Sequence, residues 1–209
     1  MQKDCGLNYL TNRLLVNNLP IACYQFGLMN NLNPVIFIVP LSALLLTVVL
    51  FIILLRKVND KAAFKRYILI TLVLSFLLNL AWEVIQLPLY KDASFDIEHI
   101  AFCGLASVAD AIMVLLIYFV LALIYKDPLW IKHLNLNRTL IIVLIGGTGA
   151  VLAELRHLSQ GNWGYASSMP ILPFVNVGLS PVLQFIFLPV LSYYLSFYFL
   201  KKNYGSQTD

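Results

Sequence analysis

Long apolar runs separated by short charged segments are the feature that most constrains this chain. An apolar helix needs about 20 residues to cross the hydrocarbon core of a bilayer. Only 11% of the residues are charged, whereas a soluble domain usually carries about 25%. The sequence therefore predicts an all-α integral membrane protein with five transmembrane helices, in which spans two to five form a helical bundle. The predicted spans are residues 34–55, 67–90, 100–125, 139–158 and 178–200.

The positions of lysine and arginine predict the orientation. Ten of them lie after the first, third and fifth spans, and only Lys3, Arg13, Lys91 and Arg156 lie on the opposite side. Cytoplasmic loops carry an excess of basic residues, so we predict a multi-pass protein of the plasma (inner) membrane with its N-terminus outside and its C-terminus in the cytoplasm. The formal charge of +4 comes from these short clusters, and nucleic acid is not an expected partner.

The segments flanking the spans follow from this orientation. Residues 1–33 form an extracytoplasmic N-terminal segment, and residues 201–209 form a cytoplasmic tail. The N-terminal segment lacks the continuous apolar core of a signal peptide. Cys5 and Cys23 could form a disulfide in an oxidising compartment, and the sequence leaves this open.

Three acidic residues lie within the predicted spans: Glu83, Asp110 and Glu154. From the helical rise per residue, the two glutamates share the outer third of the membrane and Asp110 lies about one to two turns deeper. A charge near mid-membrane costs at least about 2.5–3.5 kcal/mol, so it is usually kept for function or pairing. Arg156 is the only lysine or arginine within the predicted spans, so the three acids leave an excess of negative charge there. Either a cation binds, or at least one acid stays protonated. We predict these three acids as catalytic acid–base residues.

Polar side chains continue the same faces of the predicted helices. Each of spans two to five carries such a stripe near its outer end, and we expect the stripes to turn inward and form a polar pocket. The aromatic segment 158–177 is expected to fold back over its mouth. The stripes are Asn79, Glu83, Gln86 and Tyr90; His99, Cys103, Ser107 and Asp110; Gly147, Glu154 and His157; and Ser180 with Gln184.

Ten residues are predicted to bind the substrate: Asn79, Trp82, Gln86, Tyr90, His99, Arg156, His157, Trp163, Tyr165 and Gln184. Arg156 lies about 200° around the helix from Glu154, so it could instead reach headgroups, Asp96 or Glu98. Glu83, Arg156 and His157 could also be no more than solvated residues at the membrane border.

Three sequence strings resemble motifs of a group of small, uncharacterised prokaryotic multispanning membrane proteins. They are NLAWEVIQLPLY (79–90), ELRHLSQGNWGY (154–165, running on to Met169 and Pro170) and GLSPVLQ (178–184). That resemblance implies no particular reaction. The set of four helices with acids inside is also similar in architecture to emopamil-binding-type sterol isomerases and heterodimeric carotenoid cyclases. This second likeness implies membrane carboxylic acids that protonate a double bond and stabilise the resulting cation.

Four functions are compatible with the sequence. The first is binding of, or acid–base chemistry on, a lipidic substrate such as an isoprenoid, without a cofactor or metal, and whether the chain is an enzyme stays open. The second is a small proton-coupled transporter, although the inner halves of the spans hold few polar groups. The third is a metal site, suggested by the Glu-x-x-His spacing of Glu154 and His157. The fourth is an accessory subunit, in a homo-oligomer or with a membrane partner.

Overall fold

The computed structural model of the chain describes residues 35–205. Each of its five α-helices is long and apolar enough to cross a membrane, so the predicted helical membrane fold is confirmed. The predictions for residues 1–33, including the disulfide, lie outside the described residues. Among the described residues, 43–205 belong to one compact unit, and the contacts given below lie within it. The helices are α1 (Val35–Lys57), α2 (Lys61–Gln86), α3 (Ile97–Ile124), α4 (Leu136–Ser159) and α5 (Leu179–Gly205).

Side-chain caps fix where three of these helices begin. The side chains of Asp60, Asp96 and Asn135 each accept a hydrogen bond from the backbone N–H three residues further on, at 2.9–3.0 Å. Such caps satisfy a backbone donor that the helix itself cannot. Therefore α2, α3 and α4 begin before the apolar runs that defined the predicted spans, and their first turns carry polar residues.

The helices pack in a definite order. Helix α2 packs along α3 and α5, and α5 packs along α4, whereas α3 and α4 make few contacts with each other. Helix α1 contributes Phe51, whose ring lies 5.9 Å from that of Phe64 and 6.3 Å from that of Phe119.

We call the end formed by residues 57–61, 124–136 and 200–202 the basic end. The opposite end, formed by residues 86–97 and 159–179, is called the covered end.

An aromatic core fills the bundle towards the basic end. Tyr67, Tyr118, Trp130 and Tyr193 are all fully buried. The ring of Tyr118 stacks on Trp130 at 5.2 Å and meets Tyr193 edge-on at 5.4 Å. Their polar atoms are satisfied by backbone carbonyls, for example Tyr193 Oη donating to Val114 at 2.6 Å. Because it is close-packed and satisfied, this core closes the basic half of the bundle.

Glycine brings α4 and α5 together. A Cβ atom at Gly146 would collide with the backbone carbonyl oxygen of Phe185, and one at Gly147 would lie 3.2 Å from Ile186. Small residues allow such close backbone approach between membrane helices. The glycine-rich part of the fourth span therefore makes a close contact with α5.

The segment between α4 and α5 returns across the covered end, as predicted. The backbone N–H of Lys91 donates to Gly164 O, and that of Ala166 donates to Leu89 O, both at 2.9 Å. These bonds tie the segment to the 3₁₀ turn Leu87–Leu89 that follows α2. The segment then forms a small antiparallel hairpin, β1 (Ile171–Leu172) with β2 (Val177–Gly178), before α5 begins.

Candidate functional site

The side-chain amide of Gln184 joins three helices near the covered end. Its Nε2 lies 2.9 Å from Asn79 Oδ1, 3.1 Å from Glu83 Oε1 and 3.0 Å from Asp110 Oδ2. The amide is only 1% exposed. An NH₂ group has two hydrogens, so three acceptors compete for them. Two of the predicted catalytic acids, Glu83 and Asp110, therefore lie on either side of one nitrogen.

Gln86 extends this arrangement. Its Nε2 donates to Glu83 Oε1 at 3.0 Å and to Gln184 Oε1 at 3.1 Å, while the hydroxyl of Ser180 donates to Gln86 Oε1 at 2.7 Å. The side chain of Asn79 is held by a 2.7 Å bond from its Nδ2 to Ser75 O. We call the set the carboxylate–amide cluster; it consists of Asn79, Glu83, Gln86, Asp110, Ser180 and Gln184.

Glu154 lies in a separate group with two aromatic residues of the returning segment. The hydroxyl of Tyr165 donates a short hydrogen bond to Glu154 Oε2, and Trp163 Nε1 donates to the same oxygen at 3.3 Å. Glu154 is 6% exposed, so this carboxylate is nearly removed from solvent. We call these three residues the Glu154 group.

The partners of His157 are Trp163 and Asn162, and Glu154 is not among them. Its ring stacks on Trp163 at 4.2 Å, and Asn162 Nδ2 lies 2.8 Å from its Nδ1. The two side chains of the Glu-x-x-His motif therefore have different partners. No group of three or more histidine, cysteine, aspartate or glutamate side chains within residues 35–205 is arranged to hold a metal ion.

Tyr90 lies beside the aromatic residues of the Glu154 group. It is the first residue after the second span, which ends at Leu89, and its ring contacts those of Trp163 at 6.4 Å and Tyr165 at 5.8 Å. Burial, followed by the charges of Glu154 and Glu83 and smaller contributions that include Asp110, raises the pKa of Tyr90 far above its usual value. Tyr90 therefore packs against both aromatic residues of the Glu154 group.

His99 and Arg156 are among the predicted binding residues that belong to neither group. His99 Nδ1 pairs with Asp96 Oδ2 at 2.8 Å in the first turn of α3. Arg156 is exposed, and no ion pair within the described part of the chain joins it to Asp96 or Glu98. Of the alternatives for Arg156, an ion pair with Asp96 or Glu98 is therefore not formed, because Asp96 caps α3 and binds His99.

Trp82 lies next to Glu83 on α2 and is half-buried. Its indole Nε1 is buried and has no hydrogen-bond partner among the described residues. Burying a hydrogen-bond donor that has no acceptor lowers the stability of the folded protein, so this indole N–H requires an explanation.

Sequence reasoning missed a line of buried hydroxyls that leads from the cluster towards the basic end. Thr71, Ser75, Ser192 and Ser196 are buried, although the inner halves of the spans were expected to hold few polar groups. Thr71 and Ser196 bond to carbonyls one turn earlier in their own helices, as serine and threonine do in apolar helices. Ser75 Oγ and Ser192 Oγ have no partner within residues 35–205. The sequence signal was the spacing of Thr71, Ser75 and Asn79.

The acids lack basic partners. No lysine or arginine in the described part of the chain forms an ion pair with Glu83, Asp110 or Glu154. The bonds that reach these carboxylates come from amide, indole and phenol groups, which are neutral donors.

The fold and the polar groups within it define a multispanning membrane protein. No protein-family model, curated protein or solved structure matches the chain.

Proposed function

We propose that this protein binds a lipidic substrate, such as an isoprenoid, near the covered end of the bundle and acts on it by acid–base chemistry. The observation that carries the proposal is the placement of Glu83 and Asp110 on the single amide of Gln184, where no lysine or arginine of residues 35–205 forms an ion pair with them. Two acids in such a setting favour one shared proton, because both cannot ionise at low cost.

The roles of the three acids follow from their partners. Glu83 Oε1 accepts from two amide groups, which suits the ionised member of the pair. Asp110 then carries the proton and is the acid that protonates the substrate. Glu154, with Trp163 and Tyr165 beside it, supplies negative charge and aromatic faces that would stabilise a positively charged intermediate.

The packing of the helices supports entry of a lipid from the side. Helices α3 and α4, which carry Asp110 and Glu154, make few contacts with each other. Glu83 and Asp110 are half-buried rather than sealed. The unpartnered indole N–H of Trp82 would donate to a polar group of the substrate. A hydrophobic ligand with one polar end fits this combination of features.

Native mass spectrometry of protein purified in mild detergent tests the proposal. We expect the wild-type protein to retain a lipid or isoprenoid, and the triple variant Glu83→Gln, Asp110→Asn, Glu154→Gln to retain at least about tenfold less. Glu98→Gln, which changes an exposed acid at the start of α3, is the matched control and should retain the wild-type amount. Equal retention by the triple variant would contradict the proposal.

The bound molecule then serves as the substrate in a second measurement. Purified protein reconstituted with that molecule should convert it, and Asp110→Asn alone should lower the rate by at least about 100-fold, as for loss of a general acid. Unchanged conversion by this variant would exclude Asp110 as the proton donor. If the folded triple variant fully supports the protein's cellular role, an accessory subunit without chemistry is the better description.

A second candidate is proton-coupled transport. The buried polar residues Thr71, Ser75 and Asn79 on one face of α2 favour it, because the Ser75 hydroxyl has no partner within residues 35–205 and a hydroxyl can take part in a proton relay. Against it stands the aromatic core, which closes the basic half. Proteoliposomes with a pH-sensitive dye inside would show proton uptake that Ser75→Ala reduces if this candidate is correct.

A further inference from the structure

A cavity of about 340 Å³ lies near the basic end, and none of the three acids lines it. Helix α1 contributes Leu54 and Lys57 to its lining, and the end of α3 contributes Ala122 and Leu123. Lys126 and Pro128, which directly follow α3, complete the lining. The cavity therefore combines an apolar wall made by two membrane helices with two lysines at the level where those helices end.

The charge of this cavity is positive. Lys57 and Lys126 are exposed, and neither forms an ion pair within the described residues. No acid lines the cavity. The backbone of Lys126 adopts a positive φ of 53° directly after α3, and its N–H donates to Leu123 O at 3.2 Å. This turn keeps Lys126 beside the end of the helix.

An adjoining cavity of about 330 Å³ shares Lys57 and Pro128 and adds Lys132 and His133. Two acids, Asp60 and Asp127, also line it. Both carboxylates accept backbone N–H bonds at 2.9 Å, from Ala63 and Leu129 respectively. One oxygen of each carboxylate is therefore engaged by the backbone. The lysines, in contrast, can only donate hydrogen bonds to a ligand.

We propose that Lys57 and Lys126 bind the phosphate of an anionic phospholipid whose acyl chain lies along α1 and α3. Basic pockets between membrane helices, at the level of the headgroups, bind anionic lipids in this way. The apolar wall of Leu54, Ala122 and Leu123 would contact the acyl chain below the phosphate. Lys132 would reach the remainder of the headgroup from the adjoining cavity. This site is separate from the proposed substrate site and does not depend on it.

The lipid affinity of the full-length protein in detergent, measured by native mass spectrometry with phosphatidylglycerol and phosphatidylcholine, tests this site. We expect the wild-type protein to prefer phosphatidylglycerol. Each lysine near a headgroup contributes about fivefold, so Lys57→Gln with Lys126→Gln should weaken binding roughly 25-fold. Lys57→Arg with Lys126→Arg keeps the charge and should stay within about threefold of wild type.

Matched controls separate this site from general surface charge. Lys201→Gln with Lys202→Gln removes two exposed lysines at the same end and outside the cavity, so binding should be unchanged. An equal loss in this control, or equal affinity for the two lipids, would overturn the proposal. Complete displacement of phosphatidylglycerol by excess inorganic phosphate would show a site for soluble phosphate instead of lipid.

Discussion

At the scale of single residues, the carboxylate–amide cluster depends on Gln184. This one side chain from α5 donates towards α2 and α3, and its own carbonyl accepts from Gln86. Because Asn79, Gln86 and Gln184 are buried, each lost partner leaves a buried polar group unsatisfied. The position of Gln184 therefore matters both for stability and for the geometry of the two acids.

We predict that Gln184→Leu destabilises the protein by about 3 kcal/mol, because Asn79, Glu83 and Asp110 each lose a donor. Ser180→Ala removes one neutral hydrogen bond and should cost about 1 kcal/mol. Thermal unfolding in detergent measures both variants. An equal effect of the two substitutions would show that Gln184 does not organise the cluster.

The bond from Tyr165 to Glu154 permits a second prediction. Tyr165→Phe removes the hydroxyl and should destabilise the protein by about 2 kcal/mol, since a hydrogen bond to a carboxylate is worth more than a neutral one. Tyr194→Phe changes an exposed tyrosine of α5 and should have little effect. Thermal unfolding again provides the measurement. An unchanged unfolding temperature for Tyr165→Phe would contradict a stabilising hydrogen bond from Tyr165 to Glu154.

The hydrogen bonds of Asp96 at the start of α3 predict that the stability of the protein depends on pH. Its carboxylate accepts from the His99 backbone, from Ser94 and from the His99 ring, and in that order these bonds hold its pKa well below the usual range. Because the folded-state pKa is lowered, the stabilisation is complete above the unfolded value of about 3.9 and is lost as pH falls through the folded value.

Asp96→Ala should therefore lower the unfolding temperature at neutral pH, and its difference from wild type should shrink only below about pH 4. Asp92→Asn changes a neighbouring exposed acid and serves as the control. Thermal unfolding across a pH series measures the effect. A difference that disappears already near neutral pH would contradict the assignment to Asp96.

At the scale of elements, the contact between α4 and α5 determines how Glu154 faces the other helices. Gly146 touches the backbone of Phe185, whereas Gly149, on the same helix, has nothing within 4 Å of where a Cβ would lie. The two glycines therefore form a matched pair in which one is required by packing and the other is not.

We predict that Gly146→Ala pushes α4 and α5 apart and costs about 2 kcal/mol or more, as other overpacked cores do. Gly149→Ala should be neutral or slightly stabilising, because alanine is the better helix former. Thermal unfolding measures both, and equal tolerance of the two substitutions would contradict the close contact.

At the scale of the whole molecule, the orientation in the membrane is still a prediction from the distribution of basic residues. With Cys5, Cys23 and Cys103 replaced, we expect a membrane-impermeant maleimide to label Lys91→Cys but not Lys132→Cys in intact cells. Labelling of both variants after the membrane is opened is the control. The reverse pattern would place the basic end outside and assign the acids to the cytoplasmic half.

Much of this architecture was predictable from local sequence. Apolar length defined the five helices, and the spacing of Glu83 and Gln86 placed both on one face of α2, where the structure has them. The pairing of Glu154 with Tyr165 and Trp163 was not predictable, since it requires the returning segment to reach α4. The alternative in which Arg156 pairs with Asp96 does not occur, because the carboxylate of Asp96 caps α3 and binds His99.

The sequence by itself determined that there are five apolar helices long enough to cross a membrane and which faces of α2 to α5 are polar, because hydrophobic length and helical periodicity are local properties. Only the tertiary structure decided that Gln184 lies between Glu83 and Asp110, since three different helices must meet there. It also decided that aromatic side chains fill the basic half of the bundle and that Thr71, Ser75, Ser192 and Ser196 are buried. Such contacts depend on which helices become neighbours, and hydrophobicity along one chain does not encode that choice.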